Sequence, residues 1–180
     1  MIQPGRAMAE YPVSLAVDRW KGRRRGSYAR TMTPAQQTAV DHFAAKLRFE
    51  TDPSDVQASL EAGEALSFVD VRNEVAWRQG RAVGAIHLPR QDVASRALDV
   101  LPREVPVVVY CWSPGCNGST KAALELSRLG FEVREMIGGF EYWAREGLPT
   151  VDESGDITRP VDELTGPRAT AGAGAISCDC

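Results

Sequence analysis

Two cysteines five positions apart, Cys111 and Cys116, stand in the stretch of this chain with the most chemical content, Pro106 to Gly130, read as PVVVYCWSPGCNGSTKAALELSRLG. A cysteine acts as a nucleophile through its thiolate, and backbone N–H groups, the amino end of a helix or a nearby cation all favour that form. Cys111 follows the apolar run Val107 to Tyr110. After it come Trp112, Ser113, Pro114, Gly115, Cys116, Asn117, Gly118 and Ser119, a composition that makes a tight loop. A helix expected from near Thr120 points its positive end at the Cys111 thiol, and would equally favour an anion bound beside it. The alternative for Cys111 is a small buried residue that closes a strand. Cys116 could resolve an oxidised Cys111 by forming a disulfide, given Cα atoms within about 7 Å, or could simply pack the loop. Lys121 is the nearest cation, either a source of charge for the site or an ordinary solvated helix lysine.

The elements that must hold these residues are legible from period and punctuation. Val107 to Tyr110 is too short for a helix and rich in β-branched residues, which predicts a buried parallel strand. Ala122, Ala123, Leu126 and Leu129 recur at helical spacing up to Gly130, the terminating residue. Thr33-Pro34-Ala35-Gln36 combines an N-cap, a first-turn proline and a capping-box glutamine, and Val40, Phe43, Ala44 and Leu47 mark one face of the helix that follows. Asp52-Pro53 starts a second helix towards Gly63, with Val56 and Leu60 inward. Ser67 to Val71, Ala85 to Leu88 and Phe131 to Met136 read as strands, and Glu74 to Gln79, Asp92 to Leu101 and Phe140 to Glu146 as helices. Such alternation predicts a parallel sheet covered on both faces. Ligands collect outside the carboxyl ends of the strands in such sheets, which is where Cys111 falls.

Composition narrows the function classes. The chain has 180 residues, enough for one core with tails. Its net charge of -3 is mild. The basic residues are dispersed except for Lys21, Arg23, Arg24 and Arg25, so nucleic acid is not an expected partner. No apolar run approaches the roughly 20 residues that cross a bilayer, and the start lacks a secretory pattern, so no membrane partner and a cytoplasmic location with reduced thiols are expected. Residues 1–32 read as a flexible extension, 33–151 as the folded domain and 152–180 as a flexible tail. That tail ends in Cys178-Asp179-Cys180, too few ligands for a closed zinc site.

Three separated segments resemble one family, the rhodanese-like domains of single-domain sulfurtransferases. The first is Phe68-Val69-Asp70-Val71-Arg72 with Glu74 and then Gly84-Ala85-Ile86-His87-Leu88-Pro89. The second is Tyr110-Cys111 with its loop. The third is Gly138-Gly139-Phe140-Glu141-Tyr142-Trp143 followed by Gly147-Leu148-Pro149. They span the signature core, 53–151, in the family's order. The resemblance implies an α/β, three-layer fold with a central five-stranded parallel sheet flanked by helices, and matches Cys111 to the cysteine that becomes a persulfide. The implied reaction takes sulfane sulfur from a small sulfur-containing anion such as thiosulfate, or from a persulfide, and passes it to cyanide, a thiol or a sulfur-relay protein, with neither metal nor organic cofactor.

This sequence departs from that family where it matters. Its loop from Trp112 to Ser119 has no Arg or Lys and is about two residues longer than the family's compact loop, leaving Lys121, with Thr120, as charge support from the first helical turn. The loop-ending arginine of the related phosphatases is also absent, which argues against phosphatase activity. Asp70 and Arg72 are expected as an internal ion pair or loop brace, Gly138 and Gly139 as a tight turn near the loop, and Trp77 and Trp143 as packing residues. His87 reads as structural, His42 has no motif support, and Trp112 either walls the pocket or caps the sheet. Two other classes stay open: a non-catalytic binding or regulatory module of the same fold, and a thiol redox protein using Cys111 and Cys116.

Overall fold

The computed structural model of the chain describes residues 32–157, 160–162 and 164. The basic cluster at Lys21 to Arg25 and the Cys178/Cys180 pair lie outside the described residues.

Five short strands form one parallel sheet in the order β1-β6-β5-β2-β4: β1 (Glu50–Thr51), β2 (Ser67–Asp70), β4 (Ile86–His87), β5 (Val107–Tyr110) and β6 (Val133–Met136). β5 sits at the centre, in parallel register with β2 (Asp70 opposite Tyr110) and with β6 (Val109 opposite Glu135). A second sheet, unexpected from the sequence, pairs β3 (Arg81–Ala82), β7 (Thr150–Val151) and β8 (Asp156–Ile157) antiparallel. The regular structure therefore continues past Val151. Strands of two residues are too short to show an alternation, which is why β1, β3, β7 and β8 left no periodic signal.

Alternate residues of the central strands face opposite ways, and each face has its own cover. Val107 and Val109 join Val69, Val93, Ala97, Ala122 and Leu126 in one buried cluster, beneath α4 (Val93–Val100) and α5 (Gly118–Arg128). Val108 and Tyr110 join Phe68, Val56, Met136, Phe140 and Trp143 in the other, beneath α2 (Pro53–Glu61) and α6 (Gly139–Arg145). A strand buried on both sides cannot alternate polar and apolar residues, which explains the unbroken VVVY run. α3 (Glu74–Gln79) lies between β2 and β3 and is capped by Asn73, whose side chain accepts from the Ala76 N–H.

The helix starts follow the sequence closely. α1 (Pro34–Phe49) opens with the expected capping box, Gln36 N–H on Thr33 Oγ1 at 3.3 Å and Thr33 N–H on Gln36 Oε1 at 2.8 Å. Val40, Phe43 and Leu47 on its apolar face are all exposed. Asp52 caps α2 by accepting from Asp55 N–H at 2.9 Å. Some boundaries shift: α4 is preceded by a 3-10 turn, Arg90–Asp92, α5 begins at Gly118 rather than near Thr120, β6 begins at Val133 rather than Phe131, and β4 is confined to Ile86–His87. The loop after Cys111 is accordingly shorter than the expected Trp112 to Ser119, and Ser119 belongs to the helix. Among the described residues no helix is long and apolar enough to cross a membrane.

Candidate active site

β5 delivers Cys111 to the carboxyl edge of the sheet, and the chain then turns sharply, with Cys116 N–H donating to the Ser113 carbonyl at 3.0 Å. That turn folds Cys116 back onto Cys111. The two sulfurs are 3.0 Å apart, Cys111 buried and Cys116 half-buried, and either can donate the hydrogen between them. The Trp112 backbone N–H points at both sulfurs and that of Gly118 at Cys116.

Glycines at two places make this geometry possible. A Cβ on Gly118 would lie 2.6 Å from Cys111 Sγ and 3.5 Å from Cys116 Sγ, so a side chain there would push α5 away from the thiols. At Gly139, φ is +61°, and a Cβ would meet the Cys111 carbonyl oxygen at 2.7 Å and Ser113 N at 2.9 Å. With no Cβ in the way, the amino end of α6 docks on the loop. Phe140 N–H donates to the Cys111 carbonyl at 2.9 Å and Glu141 N–H to that of Trp112 at 2.8 Å. These are N–H groups that a helix start leaves without an internal partner, and here they fasten the backbone that carries the thiol.

The two thiols differ in how readily they ionise. Burial pushes the Cys111 thiol up to about 11, the hydrogen bond to Cys116 and the charge there add to the rise, and the Trp112 N–H opposes it. At Cys116 burial also acts upwards, but less of the side chain is buried. The hydrogen bond from Cys111, the Gly118 and Trp112 N–H groups and the Lys121 charge outweigh burial and lower its pKa. Of the two thiols, Cys116 is the one that loses its proton more readily, and Cys111 the one that holds it. The physical reason is depth: the loop amides and Lys121 serve the more exposed sulfur better.

The neighbouring residues divide between bracing and chemistry. Asp70 and Arg72 form a fully buried ion pair, Arg72 Nη2 to Asp70 Oδ2 at 2.6 Å, supplemented by Nη2 on the Gly80 carbonyl at 2.7 Å. The Arg72 guanidinium carbon also lies 4.5 Å from the centre of the Trp112 ring and 4.2 Å from that of Phe140. Its Nη1 is buried with no hydrogen-bond partner among the described residues, so contact with these aromatic faces is its compensation. Trp112 thus rests one face on the brace while remaining partly exposed beside the thiols. Lys121 contributes charge at Cys116, whereas Thr120 does not turn to the thiols. The Thr120 and Ser119 hydroxyls donate to Glu135 Oε1 at 2.9 and 2.8 Å, tying α5 to β6. Glu135 carried no motif that would have drawn attention to it.

Gly138, at φ +82°, makes the turn into α6 beneath Tyr142. Trp143 is buried in the core, its indole N–H donating to the Pro149 carbonyl at 2.7 Å. His87 stacks on Trp77 at 4.6 Å and bonds the Arg72 carbonyl through Nε2 at 3.1 Å, a structural arrangement. His42 stays on the exposed face of α1. Among the described residues no group of three or more His, Cys, Asp or Glu could hold a metal ion.

A cavity of about 640 Å³ lies elsewhere, lined among others by Leu66, Pro106 and Glu132, residues just before β2, β5 and β6. It is at the amino edge of the sheet and contains no thiol or histidine. The carboxyl edge, with its paired thiols, is the chemically equipped end.

Similarity to known proteins establishes the family. The model of the rhodanese-like domain matches residues 52–146. A sulfurtransferase of Allochromatium vinosum is 33% identical over 107 residues, covering 59% of this chain and 97% of that protein. The thiosulfate sulfurtransferase GlpE of Pseudomonas fluorescens is 35% identical over 107 residues, covering 58% and 91%. Among solved structures, the BH2092 protein of Bacillus halodurans superposes with a TM-score of 0.62 at 37% identity, covering 66% of this chain and 88% of that one. With a five-stranded parallel sheet between two helical layers and a cysteine loop leaving its central strand, this chain belongs to the rhodanese-like domain family.

Proposed function

We propose that the protein is a sulfurtransferase that carries sulfane sulfur as a persulfide on Cys111. The observation that carries this reading is the position of Cys111 at the carboxyl end of the central strand, under the Trp112 amide and within 3.0 Å of a second sulfur. The relatives named sulfurtransferase and thiosulfate sulfurtransferase support the same reaction class.

The paired sulfurs give the first step a proton acceptor. When the pair has lost one of its two protons, the other passes to Cys116 across the 3.0 Å hydrogen bond as Cys111 approaches the outer sulfur of a donor. Cys111 sulfur bonds to the outer sulfur and the donor's sulfur–sulfur bond breaks. Sulfite leaves when the donor is thiosulfate, a thiolate when it is a small persulfide. The Trp112 N–H stabilises negative charge on the bound sulfur. A thiol, cyanide or sulfur-relay protein then takes the outer sulfur.

The loop and the first residues of α5, 112 to 119, have no Arg or Lys, and the buried guanidinium of Arg72 is committed to Asp70. A singly charged persulfide suits such a site better than thiosulfate, a dianion. A reducing, cytoplasmic setting suits it too, since the cycle begins from two thiols.

Intact-protein mass spectrometry after incubation with thiosulfate, and separately with glutathione persulfide, tests the carrier step. The Cys116→Ser variant, which lacks the proton acceptor, is expected to gain one sulfur at a reduced rate, and Cys111→Ser none. Absence of any adduct, sulfite or other turnover from both donors with folded protein would refute the reading and leave a binding module of the same fold.

A further inference from the structure

We propose that Cys116 is a resolving nucleophile, and that the protein releases sulfide: Cys116 attacks the persulfidated Cys111, expels the outer sulfur as HS⁻ and leaves a Cys111–Cys116 disulfide, which an external dithiol reduces. The proposal rests on the persulfide reading above and specifies the fate of the sulfur and the chemical class of the reductant.

The geometry makes Cys116 the nearest thiol to attack. Its sulfur is already 3.0 Å from Cys111 Sγ and needs to close by about 1 Å to reach the ordinary disulfide length of about 2.05 Å. The segment that must move is built to permit it. Gly115 and Gly118 flank the Cys116 region, a Cβ on Gly115 would meet nothing closer than 3.9 Å, and the turn is held by one backbone hydrogen bond from Cys116 N–H to Ser113. On the other side, Cys111 is held in place, fastened by Phe140 N–H on its carbonyl. A fixed electrophilic sulfur and a movable thiol beside it favour intramolecular attack over attack by any solute thiol.

Atoms and electrons balance along this path. After the first step Cys116 holds the proton taken from Cys111, and Cys111 carries an anionic persulfide. Cys116 sulfur bonds to Cys111 Sγ as the bond from Sγ to the outer sulfur breaks, and the Cys116 proton leaves with that sulfur as HS⁻. The outer sulfur is reduced to sulfide while the two cysteine sulfurs are oxidised to a disulfide. An external dithiol then opens the disulfide, becoming a disulfide itself and restoring both thiols. Its point of entry is Cys116, the half-buried member, since Cys111 is buried.

The experiment is a single turnover of the reduced full chain with thiosulfate, repeated with glutathione persulfide. It follows sulfite in the thiosulfate arm, sulfide in both, the intact mass, and peptide mapping of all four cysteines. Wild type is expected to release one sulfide for each sulfur accepted and to end without added sulfur, with Cys111 and Cys116 joined and Cys178 and Cys180 unaffected. Cys116→Ser is expected to keep the added sulfur, its sulfide release slowed by about a hundredfold. If wild type instead holds a stable persulfide with Cys116 still alkylatable, the inference fails while the carrier reading stands. If neither protein accepts sulfur from either donor, both fail. The wild-type arm needs no substitution, so its outcome is independent of whether a variant folds.

Discussion

β2 and β5 are neighbours in one sheet, aligned so that Asp70 stands opposite Tyr110, and both bring reactive side chains to the same edge. The end of β2 is closed. Asp70 and Arg72 have no exposed side-chain surface, and two further contacts, with the Gly80 carbonyl and the Trp112 ring, hold the guanidinium in place. The end of β5 is left open. Its two sulfurs have mainly each other and a few backbone N–H groups, and one of them reaches solvent. A strand end whose polar groups are fully paired stabilises the fold, and one whose groups are paired only with each other keeps them available for a substrate. The two are mechanically linked, because Trp112 belongs to the thiol loop and leans on Arg72.

The closed end carries the largest expected effect. Asp70→Ala leaves Arg72 buried without its counter-ion, for which a loss of about 3–5 kcal/mol in unfolding free energy is expected, read as a lower urea midpoint. An unchanged midpoint would show that the pair is not the brace described here. Gly139→Ala acts at the joint between the ends. Strain at φ +61° and the clash with the Cys111 carbonyl should cost about 1–3 kcal/mol and slow sulfur uptake at Cys111 out of proportion to the stability lost. Uptake at the wild-type rate would separate the loop from α6.

The smallest effect sharpens the open end without altering the fold. With a pKa of about 11, Cys111 is ionised in about one molecule in ten thousand at pH 7, while Cys116 is lowered from its ordinary value. Iodoacetamide should therefore label Cys116 first in the reduced protein. Labelling of Cys111 should rise by about tenfold per pH unit until it levels near 11, because only the thiolate reacts. Prior labelling of Cys111 at pH 7 would reverse the assignment of charge.

Much of this molecule is written in local pattern. The VVVY run, the Thr33 and Asp52 caps and the three signature segments fix the main strands, the helix starts and the family, because strand burial, capping and tight turns depend on residues close in sequence. Cys111 and its loop were visible for the same reason. What pattern could not convey is the pairing of distant segments. The two-residue strands β1, β3, β7 and β8 exist only through their partners. Glu135 matters only because β6 passes beside the start of α5.

Local pattern alone places a cysteine at the end of a buried parallel strand, with a second cysteine and a glycine-rich turn after it, since strand propensity and turn chemistry depend on neighbouring residues. That the two sulfurs lie 3.0 Å apart, and that Cys116 ionises more readily than Cys111, follows from the tertiary structure. Depth below the surface, the approach of Gly118 and Gly139 to the thiol loop and the direction of backbone N–H groups are properties of the packed chain. They set the charge on a thiol more strongly than its place in the sequence does.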